Sequence, residues 1–131
     1  MDYKPRDIAY EQWNDGGVNL RFKGRPFAII AVDNSDALTD TLQVAIDAGH
    51  HLAIRGGGHC LENFVADPAV QLIIDISRMK GIRYDPEKNA IEVSAGNTVG
   101  EMHEKLFTEW NIVMPVGEET SSSFLNLVCQ N

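Results

Sequence analysis

Arg55 and His59 bracket three consecutive glycines, Gly56, Gly57 and Gly58, directly after the apolar stretch Leu52-Ala53-Ile54. Glycine reaches positive φ without a Cβ penalty, so successive N–H groups along such a run can converge on one anion. Arg55 adds a permanent charge with a planar fork of donors suited to phosphate, and His59 adds an imidazole that can bond, titrate or attack. The implied chemistry is phosphate capture beside a nucleophilic ring. A bare Gly-Gly-Gly is also compatible with a simple tight turn between strands; the flanking Arg55 and His59 shift the balance toward a cofactor loop.

A second anion candidate is Gly96-Asn97-Thr98, which joins a strand to a helix start where free N–H groups favour negative charge. An ordinary N-cap connection accounts for it equally well. Asp75 lies at a distance downstream of the glycines that would suit a ribose contact in a dinucleotide-binding Rossmann unit. That reading requires a helix after the glycines, and residues 60–70 contain Asn63, Asp67 and Pro68 with no sustained apolar spacing. No Gly-Lys-Ser/Thr follows the glycines, so a Walker-type loop is ruled out. His59-Cys60 and His50-His51 are adjacent pairs whose side chains diverge, and no metal site is expected. Asp85 and Glu87 read as turn residues, Glu101 as a cap, His103 as a half-exposed helix position, and Met79 and Trp110 as core.

The elements that must position these groups follow from periodicity. Residues 26–32 form a short apolar run, and Leu38, Leu42, Ala45 and Ile46 then recur at helical spacing, with Ser35 as cap and Gly49 as left-handed terminator. Residues 52–54 are the next strand, giving a β-α-β unit whose strands run parallel, with the glycines at a carboxyl end where ligands bind. The continuous apolar run Leu72-Ile73-Ile74 ending at Asp75 predicts a buried strand. Ile82 and Tyr84 alternate before the turn 85–89, and Ile91 and Val93 after it, predicting a hairpin. Thr98 and Glu101 form a capping box, and Val99, Met102, Leu106 and Trp110 line one face of a helix covering the sheet. A last strand is expected at 112–114. The fold class is α+β, a β-α-β unit followed by a mainly antiparallel sheet with a covering helix.

The chain has 131 residues, 44% hydrophobic content and a formal charge of −8, which fits one domain and disfavours nucleic acid or anionic membrane as partners. Cys60 and Cys129 are too few for a disulfide framework. The opening Met1-Asp2-Tyr3-Lys4-Pro5 lacks the apolar core of a signal peptide and no long apolar span follows, so a cytoplasmic location is expected.

Three stretches carry a family likeness: residues 53–59, residues 72–82 and residues 93–101. In order and spacing they resemble the PCMH-type, or vanillyl-alcohol-oxidase-type, FAD-binding domain, most closely that of the berberine-bridge-enzyme-like FAD-linked oxidoreductases. The resemblance implies FAD as cofactor, with Arg55, Gly56, Gly57 and Gly58 on the loop that holds its pyrophosphate and His59 at the position bonded covalently to the flavin in many relatives. Cys60, Gly96 and Thr98 count with the cofactor-binding set. The turn Pro115-Val116-Gly117 precedes Glu118 and Glu119 where some relatives carry a second, cysteine link, so no such link is expected. By this likeness residues 1–117 are a partial FAD-binding domain and 118–131 a divergent tail, in which Phe124 and Leu125 stand where the family has glycines. The implied function is the FAD-binding part of an oxidase or dehydrogenase that uses oxygen as acceptor, in a truncated chain inactive by itself. A small-molecule substrate belongs to a full-length relative, and no catalytic residue is identifiable. The alternative is a non-catalytic α/β module that has lost a complete cofactor site.

Overall fold

The computed structural model of the chain describes residues 2–3, 8–14 and 21–116. The expected tail at 118–131 lies outside the described residues. A four-stranded sheet holds β1 (Asp2–Tyr3), β2 (Ala28–Ala31), β3 (Leu52–Arg55) and β4 (Leu72–Asp75) in the order β1-β2-β4-β3. β2 and β3 each run parallel to β4, and β1 pairs antiparallel with β2. β2 and β3 are parallel to each other as expected, but they are not neighbours, because β4 lies between them. A central parallel strand is covered on both faces, and all four residues of β4 are buried.

The alternation of β4 divides the core. Leu72 and Ile74 join Ala28, Val32 and Ala45 under α2 (Ser35–Asp47), while Ile73 packs with Ile29, Ala31, Val70 and Tyr10 of α1 (Ile8–Asn14). Tyr10 is nearly fully buried and its hydroxyl donates to Pro26 O at 2.7 Å; burial is the main cause holding its pKa above the ordinary 10.0. α2 is capped by Asn34, whose side chain accepts from Ala37 N at 2.8 Å, so Ser35 is the first helical residue rather than the cap. Gly49 takes the expected left-handed turn at φ 68°. Ile46, expected on the apolar face, is 61% exposed, because the helix turns Leu38, Leu42 and Ala45 toward the sheet instead.

The antiparallel part, expected after the β-α-β unit, is a separate hairpin of β5 (Ile82–Asp85) and β6 (Ala90–Val93), while β4 pairs with the parallel strands. α3 (Val99–Trp110) lays Val99, Met102 and Leu106 on Ile82, Ile91 and Val93, as the periodicity requires. Its capping box is present, with Glu101 N donating to Thr98 Oγ1 at 3.2 Å and Thr98 N to Glu101 Oε2 at 2.7 Å. No strand forms at 112–114. Asn111 turns left-handed at φ 53°, Ile112 N donates to Leu106 O at 3.1 Å, and Met114 folds back on α3 with its carbonyl 2.8 Å from His103 Nε2.

The two parts meet at Gly96. A Cβ there would lie 2.3 Å from Ile76 O and 2.7 Å from Met79 O, both backbone atoms, and Gly96 N already donates to Met79 O at 3.1 Å. Asn97 ties the base of the hairpin, its Nδ2 donating to Gly81 O and Ser94 O, just before β5 and just after β6, at 2.8 Å each.

Gly96→Ala is therefore expected to cost about 3 kcal/mol, from forcing backbone apart in a packed junction, and a thermal or urea melt of the purified chain measures it. The capping box generates a second expectation. Burial raises the Glu101 carboxyl, but hydrogen bonds from Lys80 and Thr98 outweigh it and leave the pKa below the ordinary 4.5. A lowered folded-state pKa contributes stability that is complete above the unfolded value and lost as pH falls through the folded one. The melting temperature should thus decline below pH 4.5 less steeply in Glu101→Gln than in the wild type, and Thr98→Ala should cost about 1 kcal/mol at neutral pH.

Candidate functional site

β3 and β4 end together, with Arg55 opposite Asp75 in the parallel register. Both residues share the parity of Ala53 and Ile73, so their side chains extend the row on the α1 face of the sheet. Arg55 is 8% exposed and Asp75 1%. The Arg55 Nε and Nη2 atoms each stand 2.8 Å from Asp75 Oδ2. The other carboxylate oxygen accepts from Ser77 N at 3.0 Å and Ser77 Oγ at 2.5 Å. Both oxygens are thereby hydrogen-bonded, the condition under which a buried ion pair is tolerated. The backbone repeats the tie, since Ile76 N donates to Arg55 O at 2.9 Å.

The three glycines leave the sheet from this point. Gly56 and Gly58 are buried and Gly57 half-buried; of the three, Gly58 alone takes a left-handed conformation, at φ 76°. The loop is narrower in its use of positive φ than three glycines allow. His59 and Cys60 follow, both half-buried. The Cys60 thiol donates to Glu62 O at 3.1 Å. The Asn63 Oδ1 is buried without a hydrogen-bond partner among the described residues. Residues 60–70 form no helix, which removes the Rossmann reading, and Asp75 is engaged below the surface rather than presented to a ribose.

Gly96 and Thr98 stand apart from this loop in what their polar groups do. Gly96 N bonds Met79 O, and Thr98 N and Oγ1 are both used in the capping box. The connection between the two regions runs through Ile76, whose N–H bonds Arg55 O and whose carbonyl faces Gly96. Two open clefts occur elsewhere. One of about 350 Å³ lies between α2 and the sheet at Phe27, Val44 and His50, and one of about 600 Å³ lies between the hairpin and α3 at Tyr84, Leu106, Trp110 and Met114. Neither is lined by residues 55–60. Among the described residues no cluster of three metal-binding side chains occurs, and no helix is long and apolar enough to cross a membrane.

Sequence reasoning placed Asp75 at the end of a buried strand, set aside its ribose role with the Rossmann reading, and missed it as the partner of Arg55. The signal was present: each of two apolar strands, Leu52-Ala53-Ile54-Arg55 and Leu72-Ile73-Ile74-Asp75, ends in one charge, and the charges are opposite.

A glycine loop at the carboxyl ends of parallel strands, with the adjacent carboxylate already neutralised, suits a phosphate-bearing cofactor. Residues 26–122 match the model of the family described as FAD binding domain. The chain belongs to this family. It is 40% identical over 111 residues to aclacinomycin-N/aclacinomycin-A oxidase of Streptomyces galilaeus, covering 85% of this chain and 20% of the relative. It is 31% identical over 90 residues to berberine bridge enzyme-like 14 of Arabidopsis thaliana, covering 65% of this chain and 17% of that protein, which bears out the berberine-bridge likeness. The crystal structure of glycopeptide hexose oxidase DBV29 complexed with teicoplanin superposes with a TM-score of 0.90 at 36% identity, covering 95% of this chain and 25% of that one. The chain thus spans about a sixth to a quarter of the length of these relatives.

Gly58 gives a direct check on the loop. Because an L side chain at φ 76° is strained, Gly58→Ala should destabilise the chain by about 1–2 kcal/mol in a chemical melt, whereas Gly57→Ala, at a position without positive φ, should cost less.

Proposed function

We propose that this chain is the FAD-binding part of an FAD-linked oxidoreductase, in which the backbone N–H groups of Gly56, Gly57 and Gly58 take the pyrophosphate and His59 carries a covalent bond to the flavin. One observation supports it above the rest: the family match over residues 26–122 includes a glycine loop at the carboxyl ends of β3 and β4, followed at once by a half-buried imidazole. FAD, when bound, accepts the hydride equivalent removed from a substrate carbon, with molecular oxygen as the final acceptor by family likeness. The chain's own contribution is to hold and orient. The loop amides meet the phosphate charge without a Cβ in the way, and a neutral His59 ring nitrogen supplies the lone pair for attachment. The hexose oxidase relative makes a sugar hydroxyl carbon the favoured substrate class.

The experiment is to mix the purified chain with FAD, remove free cofactor by gel filtration and record the flavin spectrum. A retained flavin spectrum is expected, with no oxygen consumption on added hexose; a protein that melts cooperatively yet stays colourless would overturn the cofactor reading and favour a non-catalytic module. Attachment is read separately on the longest protein containing this domain, denatured with acid. Flavin mass on the peptide bearing His59, absent in His59→Ala, is the expected outcome, and full release of free FAD from the wild type rejects the bond.

A further inference from the structure

We infer that Arg55 does not act as a phosphate ligand: with Asp75 it forms a positioning pair that sets the conformation of the glycine loop, leaving the anion to the loop's backbone N–H groups. The inference rests on reading residues 56–58 as the pyrophosphate loop and assigns the two flanking charges a role within it.

Three observations carry it. The guanidinium is over nine-tenths buried and directs two nitrogens to one oxygen of a carboxylate that is itself 1% exposed. A positive charge held 2.8 Å from a negative one presents much less net field to a third group than a lone charge, so the pair offers an incoming anion little attraction. The same residues clamp the loop's origin. Arg55 O accepts from Ile76 N, Asp75 holds Ser77 through two hydrogen bonds, and Gly56 follows directly from this fixed point. Backbone dipoles bind an anion well only when they are oriented in advance, and the ion pair supplies that constraint from the buried side of the loop.

The consequence is a reversal of sign. If Arg55 were the phosphate ligand, Asp75→Asn would remove a competing negative charge and tighten FAD binding. If the pair positions the loop, the same substitution removes the carboxylate that holds the Arg55 guanidinium and Ser77, loosens the loop and weakens FAD binding.

The test compares the wild-type chain with Asp75→Asn and Arg55→Lys, each well below its own melting temperature. The readouts are amide hydrogen exchange at residues 56–58 and Ile76 without ligand, and FAD affinity from flavin fluorescence. Both variants are expected to exchange about tenfold faster at these amides and to bind FAD about tenfold more weakly. Asp75→Asn binding FAD as tightly as the wild type or tighter, with Arg55→Lys weakened, would identify Arg55 as a phosphate ligand and overturn the inference. Lower melting temperatures with unchanged exchange and affinity would make the pair merely structural, and would overturn it too. If Asp75→Asn does not fold, the double variant Arg55→Met/Asp75→Leu, which buries no lone charge, replaces it: faster exchange at 56–58 supports positioning and unchanged exchange rejects it. If the wild type binds no FAD, the cofactor reading fails by itself, and the exchange measurement still decides whether the pair sets the loop.

Discussion

Two opposite charges closed off from water at the ends of neighbouring parallel strands impose the strictest demand in this molecule. A buried carboxylate or guanidinium left alone costs several kcal/mol, so Arg55 and Asp75 must stay in register for the sheet to be stable at all, and a one-residue slip of β3 against β4 would separate them. Hydrophobic contacts between Ala53 and Ile73 or Ile54 and Ile74 would tolerate small shifts. The ion pair does not. It converts a generic apolar pairing of strands into one alignment, and everything leaving the carboxyl ends inherits that alignment: the glycines on one side, Ser77 and the Ile76 peptide on the other.

Ile76 passes the constraint onward. Its amide hydrogen is held by Arg55 and its carbonyl lies where any side chain at position 96 would collide with it. The parallel sheet and the hairpin-plus-helix unit are therefore joined by close backbone approach at Gly96. A junction of this kind leaves little room for rotation between the parts. It also explains why Gly96 and Thr98, a second anion candidate by their place at a helix start, have backbone groups occupied by the architecture itself.

Local signals were readable in the amino-acid sequence to the extent that they were local. The Thr98–Glu101 box, the Gly49 terminator, the face of α3 and the 85–89 turn each depend on residues within a few positions, and the structure has them as expected. Asn34 displaced Ser35 as cap because both are competent acceptors one residue apart, and only the entry angle of the chain distinguishes them. Residues 112–114 have strand-like composition, but the αL turn at Asn111 returns them to α3. The insertion of β4 between β2 and β3 was not readable, since parallel partners are distant in sequence and no turn residue specifies which strand will be the neighbour. The same distance concealed the Arg55–Asp75 pair, although the lone charge at each strand end pointed to it.

The order of the sheet also has a temporal side. During synthesis β2, α2 and β3 emerge before β4, a full β-α-β sequence whose two strands end up about 10 Å apart, one strand-width too far to hydrogen-bond. Until residues 72–75 leave the ribosome, nothing bridges that gap, and Arg55 has no Asp75 to neutralise it. The parallel core can close only when the middle strand, made last of the three, threads between its elders and brings the counter-charge with it. The glycine loop is thus born unsupported and acquires its shape in the same event that completes the sheet.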